Sequence, residues 1–160
     1  MPEITRTTRR RQSPSSANTT ALLGAAYRVL GLRIVEGVRA AGFPQRAAHS
    51  AVFANIDVAA GTRLTVLARR ATMTPQAMGE LVDDLESLGY VRRVPDPGDR
   101  RAKLVVLTDR GHGSVEAAMA VIGTIEADLT TLLGQSRRES MQTGLRKIIA
   151  ATSEADPDDP

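Results

Sequence analysis

The chain has 160 residues, 42% of them hydrophobic, with 21 bases against 18 acids and no cysteine. That length fits one domain with tails, and the missing thiols exclude a disulfide framework, thiol catalysis and thiolate metal sites. Two Phe and two Tyr leave the core to Leu, Val, Ile, Ala and Met, a palette that favours helix.

Residues 1–17 have almost no apolar content, carry Arg6, Arg9, Arg10 and Arg11, and read as a flexible basic arm. From about residue 19, Leu23, Tyr27, Leu30, Ile34 and Val38 recur at steps of three and four, which predicts a helix ending at Gly42 and Pro44. Arg28, Arg33 and Glu36 interrupt that segment, so it is not a secretory signal. No stretch approaches ~18 uninterrupted apolar residues, so no membrane span is expected, and the expected location is cytoplasmic.

Ala48, Val52 and Ile56 predict a second, shorter helix that stops before Gly61. Thr65 is the expected cap of a very short helix holding Leu67 and Ala68, followed by a break at 71–73. Thr74-Pro75 is a helix start, since the hydroxyl satisfies an orphan N–H and proline at the first helical position loses nothing it needs. The helix it opens is expected to bury Met78, Leu81, Leu85 and Leu88 and to end at Gly89. Two helices joined by a tight turn are a helix-turn-helix. Tyr90–Val94 and Leu104–Leu107 read as strands joined by a loop too long for a two-residue turn, stiffened by Pro95, Pro97 and Gly98. A hairpin placed directly after such a helix is a wing.

Beyond Gly111 the stripe Val115, Ala118, Met119, Ile122, Ile125, Leu129, Leu132 predicts a long helix stopped by Gly134. Ser136 is the expected cap of a last helix bearing Met141, Leu145, Ile148 and Ile149, and residues 153–160 form an acidic tail. Long apolar stripes at both ends of the chain, with no other element to cover them, call for a second chain.

The run "LARRATMTPQAMGELVDDLESLGYVRRVPDPGDRRAKLVVLTDRG" resembles the winged helix of MarR-type transcriptional regulators, and the flanking helices follow that family's order across residues 19 to 152. Its most specific part is "DPGDRRAKLVVLT", which follows the family's D-x-R-x-x-R/K pattern through Asp99 and Arg101, with Lys103 one residue from the last basic position. The resemblance implies a mostly α fold of about six helices and two to three short strands. It divides into an N-terminal dimerisation helix (18–44), a winged helix-turn-helix (45–111) and C-terminal dimerisation helices (112–152). It implies a homodimeric DNA-binding repressor of a pseudo-palindromic operator, relieved by a small aromatic or phenolic molecule. A stiff hairpin holds a guanidinium at a fixed reach, and a nearby carboxylate can orient it by a bidentate pair. By the same resemblance Asp99 is that orienting acid, Arg101 enters a minor groove and Arg100 contacts phosphate.

The helix at 75–88 holds Glu80, Asp83, Asp84 and Glu86 and no base, so it cannot attract DNA by charge. Attraction is assigned instead to the wing, with Arg93, Arg100, Arg101 and Lys103, to Arg63, Arg69 and Arg70, and to the arm. The helix then specifies. Thr74 and Pro75 open a positive helix end, Gln76 suits adenine, Gly79 allows close approach, and Glu80 suits a cytosine amino group. Asp83 and Asp84 are expected to pair with Arg69, Arg70 or solvent. Tyr27, His49 and Phe53 suit either a ligand pocket or the core, and no ligand residue is assigned. His49 and His112 lack acidic partners at ligand spacing, no nucleophile elbow or P-loop occurs, and neither enzyme, metal nor cofactor is expected. The rival reading is a helical dimerisation module that binds a protein partner through its acidic helix.

Overall fold

The computed structural model describes residues 18–153. The expected basic arm, and the acidic tail apart from Ser153, lie outside the described residues. The elements in order are α1 (Thr19–Ala40), a 3-10 turn (Ala47–His49), α2 (Ser50–Phe53), β1 (Thr62–Arg63), α3 (Leu64–Arg70), α4 (Pro75–Ser87), β2 (Val91–Asp96), β3 (Asp99–Leu107), α5 (Asp109–Leu133) and α6 (Gln135–Ser153). This is the mostly helical fold with a hairpin wing that the sequence pattern predicts. Among the described residues no single helix is long and apolar enough to cross a membrane.

The ends of α1 follow local chemistry. Asn18 Oδ1 accepts the Ala21 N–H at 2.9 Å at its start, and Gly42 adopts a left-handed φ of 93° beyond its end. The second expected helix is only a 3-10 turn followed by the four residues of α2, because Asn55 and Ile56 already turn toward the Asp57 loop. Asp57 Oδ1 accepts the Ala59 and Ala60 N–H groups, and Thr62 Oγ1 accepts the Asp57 N–H. Thr65 does not cap α3, which begins one residue before it with Arg63 in the extended cap position.

α3 and α4 meet through a turn in which Thr72 takes a left-handed φ of 53° and Met73 N–H bonds Ala68 O at 2.8 Å. Met78, Leu81, Val82 and Leu85 of α4 pack with Val52, Ile56, Leu67, Ala68, Tyr90, Val91, Val105 and Leu107 into one core. Leu88 is not part of it. It caps the end of α4, 37% exposed, while Val82, six residues earlier, is completely buried.

The sheet is antiparallel in the order β1-β3-β2. The two long strands pair as far as Asp96 and Asp99, so Pro97 and Gly98 form a two-residue turn where a longer loop was expected, with an irregularity between Pro95 and Asp96. Proline lacks a ladder donor and fits that irregular position. Thr108 caps α5, accepting the Gly111 N–H at 3.1 Å, so α5 starts before the glycine expected to precede it. Gly111 is fixed by proximity: a Cβ there would collide with the Tyr90 carbonyl oxygen. α1 and α5 pack together, and Gly37 admits Val121, whose Cγ2 would lie 2.5 Å from an added Cβ.

Candidate nucleic-acid interface

α4 begins as its residues dictate. Thr74 Oγ1 accepts the Ala77 N–H at 3.2 Å and Pro75 occupies the first turn. With Met78, Leu81, Val82 and Leu85 buried, the opposite face carries Gln76, Gly79, Glu80 and Asp83, and Thr74, Pro75, Gln76 and Glu80 are exposed. A methyl added at Gly79 would meet nothing nearer than Leu64 Cδ1 at 4.0 Å.

Three of the four acids on α4 are matched by cations from elsewhere in the fold. Arg93 Nη2 donates to Asp83 Oδ1 at 2.6 Å, its Nη1 donates to Glu86 Oε2, and its backbone N–H donates to Glu86 Oε1 at 3.0 Å. Burial opposes the Arg93 charge, but Asp83 and Glu86 outweigh it and hold the guanidinium proton more tightly than usual. Arg93 therefore faces the helix and ties the wing to it. Asp84 accepts from Arg46 and from His49 Nε2, the latter at 2.9 Å. His49 is fully buried, and its Nδ1 accepts the Arg46 backbone N–H at 3.2 Å. That bond leaves the ring proton on Nε2, so the neutral imidazole donates to Asp84. The His49 hydrogen bond and then Arg46 hold the Asp84 carboxyl below its ordinary range. The partners are thus Arg93, Arg46 and His49, where Arg69, Arg70 or solvent had been expected. Glu80 alone among these acids enters no ion pair with a described residue.

The wing is braced by its own carboxylates. Asp96 Oδ1 accepts the Gly98 N–H at 2.8 Å, and Asp96 Oδ2 accepts from Arg63 Nε at 2.6 Å. The Gly98 bond and then Arg63 depress the Asp96 carboxyl. Asp99 Oδ1 accepts the backbone N–H of Arg101 at 3.0 Å, and its Oδ2 lies 3.8 Å from Arg63 Nη2. Asp99 therefore grips the Arg101 backbone, where a bidentate pair with its guanidinium had been expected. Arg101 and Lys103 are both exposed, two residues apart and so on one face of β3. Arg100 lies in the same strand. The bracing role of Arg63 and Arg46 carries no local sequence signal, since each meets its acid across more than thirty residues.

Behind α4 an apolar cavity of about 250 Å³ lies between α1, α2 and α5, lined by Ile34, Val35, Phe53, Val115, Ala118 and Met119 among others. Gln45 and Arg46 wall both this cavity and a shallow cleft that includes His49 and Asp84. Phe53 meets the Tyr90 ring edge-on at 6.0 Å, and Tyr90 donates its hydroxyl to Pro44 O at 2.9 Å. Of the three residues weighed for a pocket, Phe53 lines the cavity, His49 is committed to Asp84, and Tyr27 stands 73% exposed on α1.

A model of the MarR family matches residues 44–102, which run from the end of the α1–α2 connection through α4 to the wing. Transcriptional regulator HosA of Escherichia coli O111:H- is 28% identical over 91 residues, 57% of this chain and 67% of that protein. HTH-type transcriptional repressor Rv2887 of Mycobacterium tuberculosis H37Rv is 32% identical over 82 residues, 51% of this chain and 59% of that protein. Across its winged region the chain is similar to MarR-family regulators. The aligned stretch thus spans about three-fifths to two-thirds of these relatives. The MarR-type fold extends further than the sequence likeness: the crystal structure of CouR from Rhodococcus jostii RHA1 bound to p-coumaroyl-CoA superposes with a TM-score of 0.66 over 86% of this chain and 94% of CouR, at 24% identity.

Proposed function

We propose that this chain is a MarR-type regulator: a homodimeric, sequence-specific DNA-binding protein that represses a pseudo-palindromic operator and is released by a small ligand. The observation that carries the reading is the outward face of α4 standing beside a hairpin that presents Arg101 and Lys103, with Asp83, Asp84 and Glu86 already paired with cations of the chain. α4 enters a major groove, Thr74, Pro75 and Gln76 lead, and the wing reaches the adjacent minor groove through Arg101, where narrow A·T tracts deepen the negative potential. Arg100 and Lys103 serve phosphate. Asp99 sets the backbone at Arg101, and Arg93 fixes the angle between wing and helix.

A dimer supports this reading. Leu22, Leu23 and Leu32 of α1, Leu132 of α5 and Met141 of α6 are exposed, an apolar surface that a second copy would cover. Residues 18–44 and 112–152 then hold two copies of the 45–111 unit over half-sites about one helical turn, ~10 base pairs, apart. The effector reading rests on the apolar cavity, whose walls include Arg46 and Phe53, the residues that touch Asp84 of α4 and Tyr90 at the root of the wing. CouR binds an aromatic acyl thioester, and an aromatic or phenolic body suits this cavity. The rival reading as a protein-binding module loses its main support, because three of the four acids on α4 are occupied within the chain.

An anisotropy titration with the chain's own upstream DNA tests the proposal. Arg101→Ala is expected to weaken specific binding by about 1–3 kcal/mol and leave the melting temperature unchanged. Unchanged affinity would remove the wing from the mechanism, and absence of any sequence preference near ~0.15 M salt would remove the reading.

A further inference from the structure

α4 pairs Asp83, Asp84 and Glu86 with cations of its own chain and leaves Glu80 exposed, on the face that carries Gln76 and Gly79. A bare carboxylate directed at a polyanion is repelled by every phosphate and by the guanine O6 and thymine O4 acceptors of the major groove. It is tolerated where it accepts a hydrogen bond. Cytosine presents N4–H₂ flanked on its own base by C5–H, with guanine O6 on one side only, whereas adenine N6–H₂ stands between its own N7 and thymine O4, an acceptor on each side. Gly79, the preceding residue on the same face, is costly within a helix and its missing Cβ serves no contact in the chain, since the nearest atom would be Leu64 Cδ1 at 4.0 Å. Gly37, Gly111 and Gly113 are explained by Val121, Tyr90 or Phe43, while Gly31, Gly123 and Gly144 share the open surroundings of Gly79 but lie in the terminal helices, away from the outward face of α4.

We propose that Glu80 selects a cytosine in each operator half-site by accepting its exocyclic amino group, and that Gly79 keeps the groove-facing side of α4 low enough for that contact. The inference rests on the DNA-binding reading above and adds to it the base and the residue that reads it. Glu80 acts chiefly by exclusion. Gln76 and the wing hold the site, and the carboxylate penalises every base pair that turns an acceptor toward it.

The test is selection of bound duplexes from a random pool by the full-length protein and its Glu80→Gln and Gly79→Ala variants, with melting curves for each. Wild type is expected to yield a palindromic motif with one cytosine column per half-site that Glu80→Gln converts to adenine or to no preference. Discrimination at that column falls about tenfold, the other columns hold, and binding to unrelated DNA tightens as a negative charge is lost. Gly79→Ala is expected to melt at a higher temperature and bind the selected site about tenfold more weakly. A motif that survives Glu80→Gln unchanged overturns the assignment and leaves the DNA-binding reading standing. Gly79→Ala with wild-type affinity overturns the part given to the glycine. A wild-type selection without any motif overturns the DNA-binding reading itself and this inference with it.

Discussion

The winged unit and the terminal helices satisfy their apolar residues in opposite ways. Between Val52 and Leu107 the unit closes a core in which Leu67, Met78, Val82 and Leu85 are completely buried. In α1, α5 and α6 many residues of the same types are exposed, Leu132 to 78% and Leu32 to 56%. Val38 and Ile125 are the buried exceptions, at the places where a single copy packs α1 against α5. One region is stabilised by its own chain. The other leaves apolar surface that the proposed dimer would cover, which would place stability and assembly in different residues.

The comparison breaks most visibly in the core. Leu85→Ala is expected to cost about 2–5 kcal/mol in chemical denaturation, because it empties a fully buried place in the core. A cost under 1 kcal/mol would mean that the winged unit is not the stable part. Leu132→Glu should leave helical content intact while placing an unpaired carboxylate in the dimer contact, raising the dissociation constant by about two orders of magnitude in sedimentation equilibrium. If the variant sediments as wild type does, α5 contributes no dimer contact there.

The smallest effect sharpens the link between the two regions. Asp84 is held below its ordinary carboxyl range, so its contribution is present at neutral pH and is lost as pH falls through the depressed value in the folded chain. Asp84→Asn should flatten that acid limb of stability without altering the alkaline side. An unchanged acid limb would show that Arg46 and His49 do not stabilise the charged form.

Much of the fold was legible in order of residues. Thr74-Pro75 announced α4, the Val- and Leu-rich runs announced the strands, and four-residue spacing announced α1 and α5, since caps and periodicity act within a few residues. The errors lie where longer-range pairing prevailed. The wing reads as a long loop because two prolines suggest one, yet Asp96 accepting the Gly98 N–H closes a tight turn. Leu88 reads as core because its spacing is right, but α4 has ended and Tyr90 fills the adjoining space. In the site, the exposed Gln76, Glu80, Arg101 and Lys103 were marked by residue type. Their supports, Arg46, Arg63 and the inward turn of Arg93, were not.

The chain's own order thus determined its helices, its wing, the acidity of α4 and the apolar stripes that a monomer leaves open. Tertiary structure decided which charges remain available. Ion pairing depends on distances between residues far apart in sequence, and folding brought Arg46, His49 and Arg93 to three acids of α4 and, among the described residues, brought no cation to Glu80. A charge left over after that sorting costs nothing in water and discriminates strongly against a polyanion, which is why the selection of one acid out of four was invisible until the fold was known.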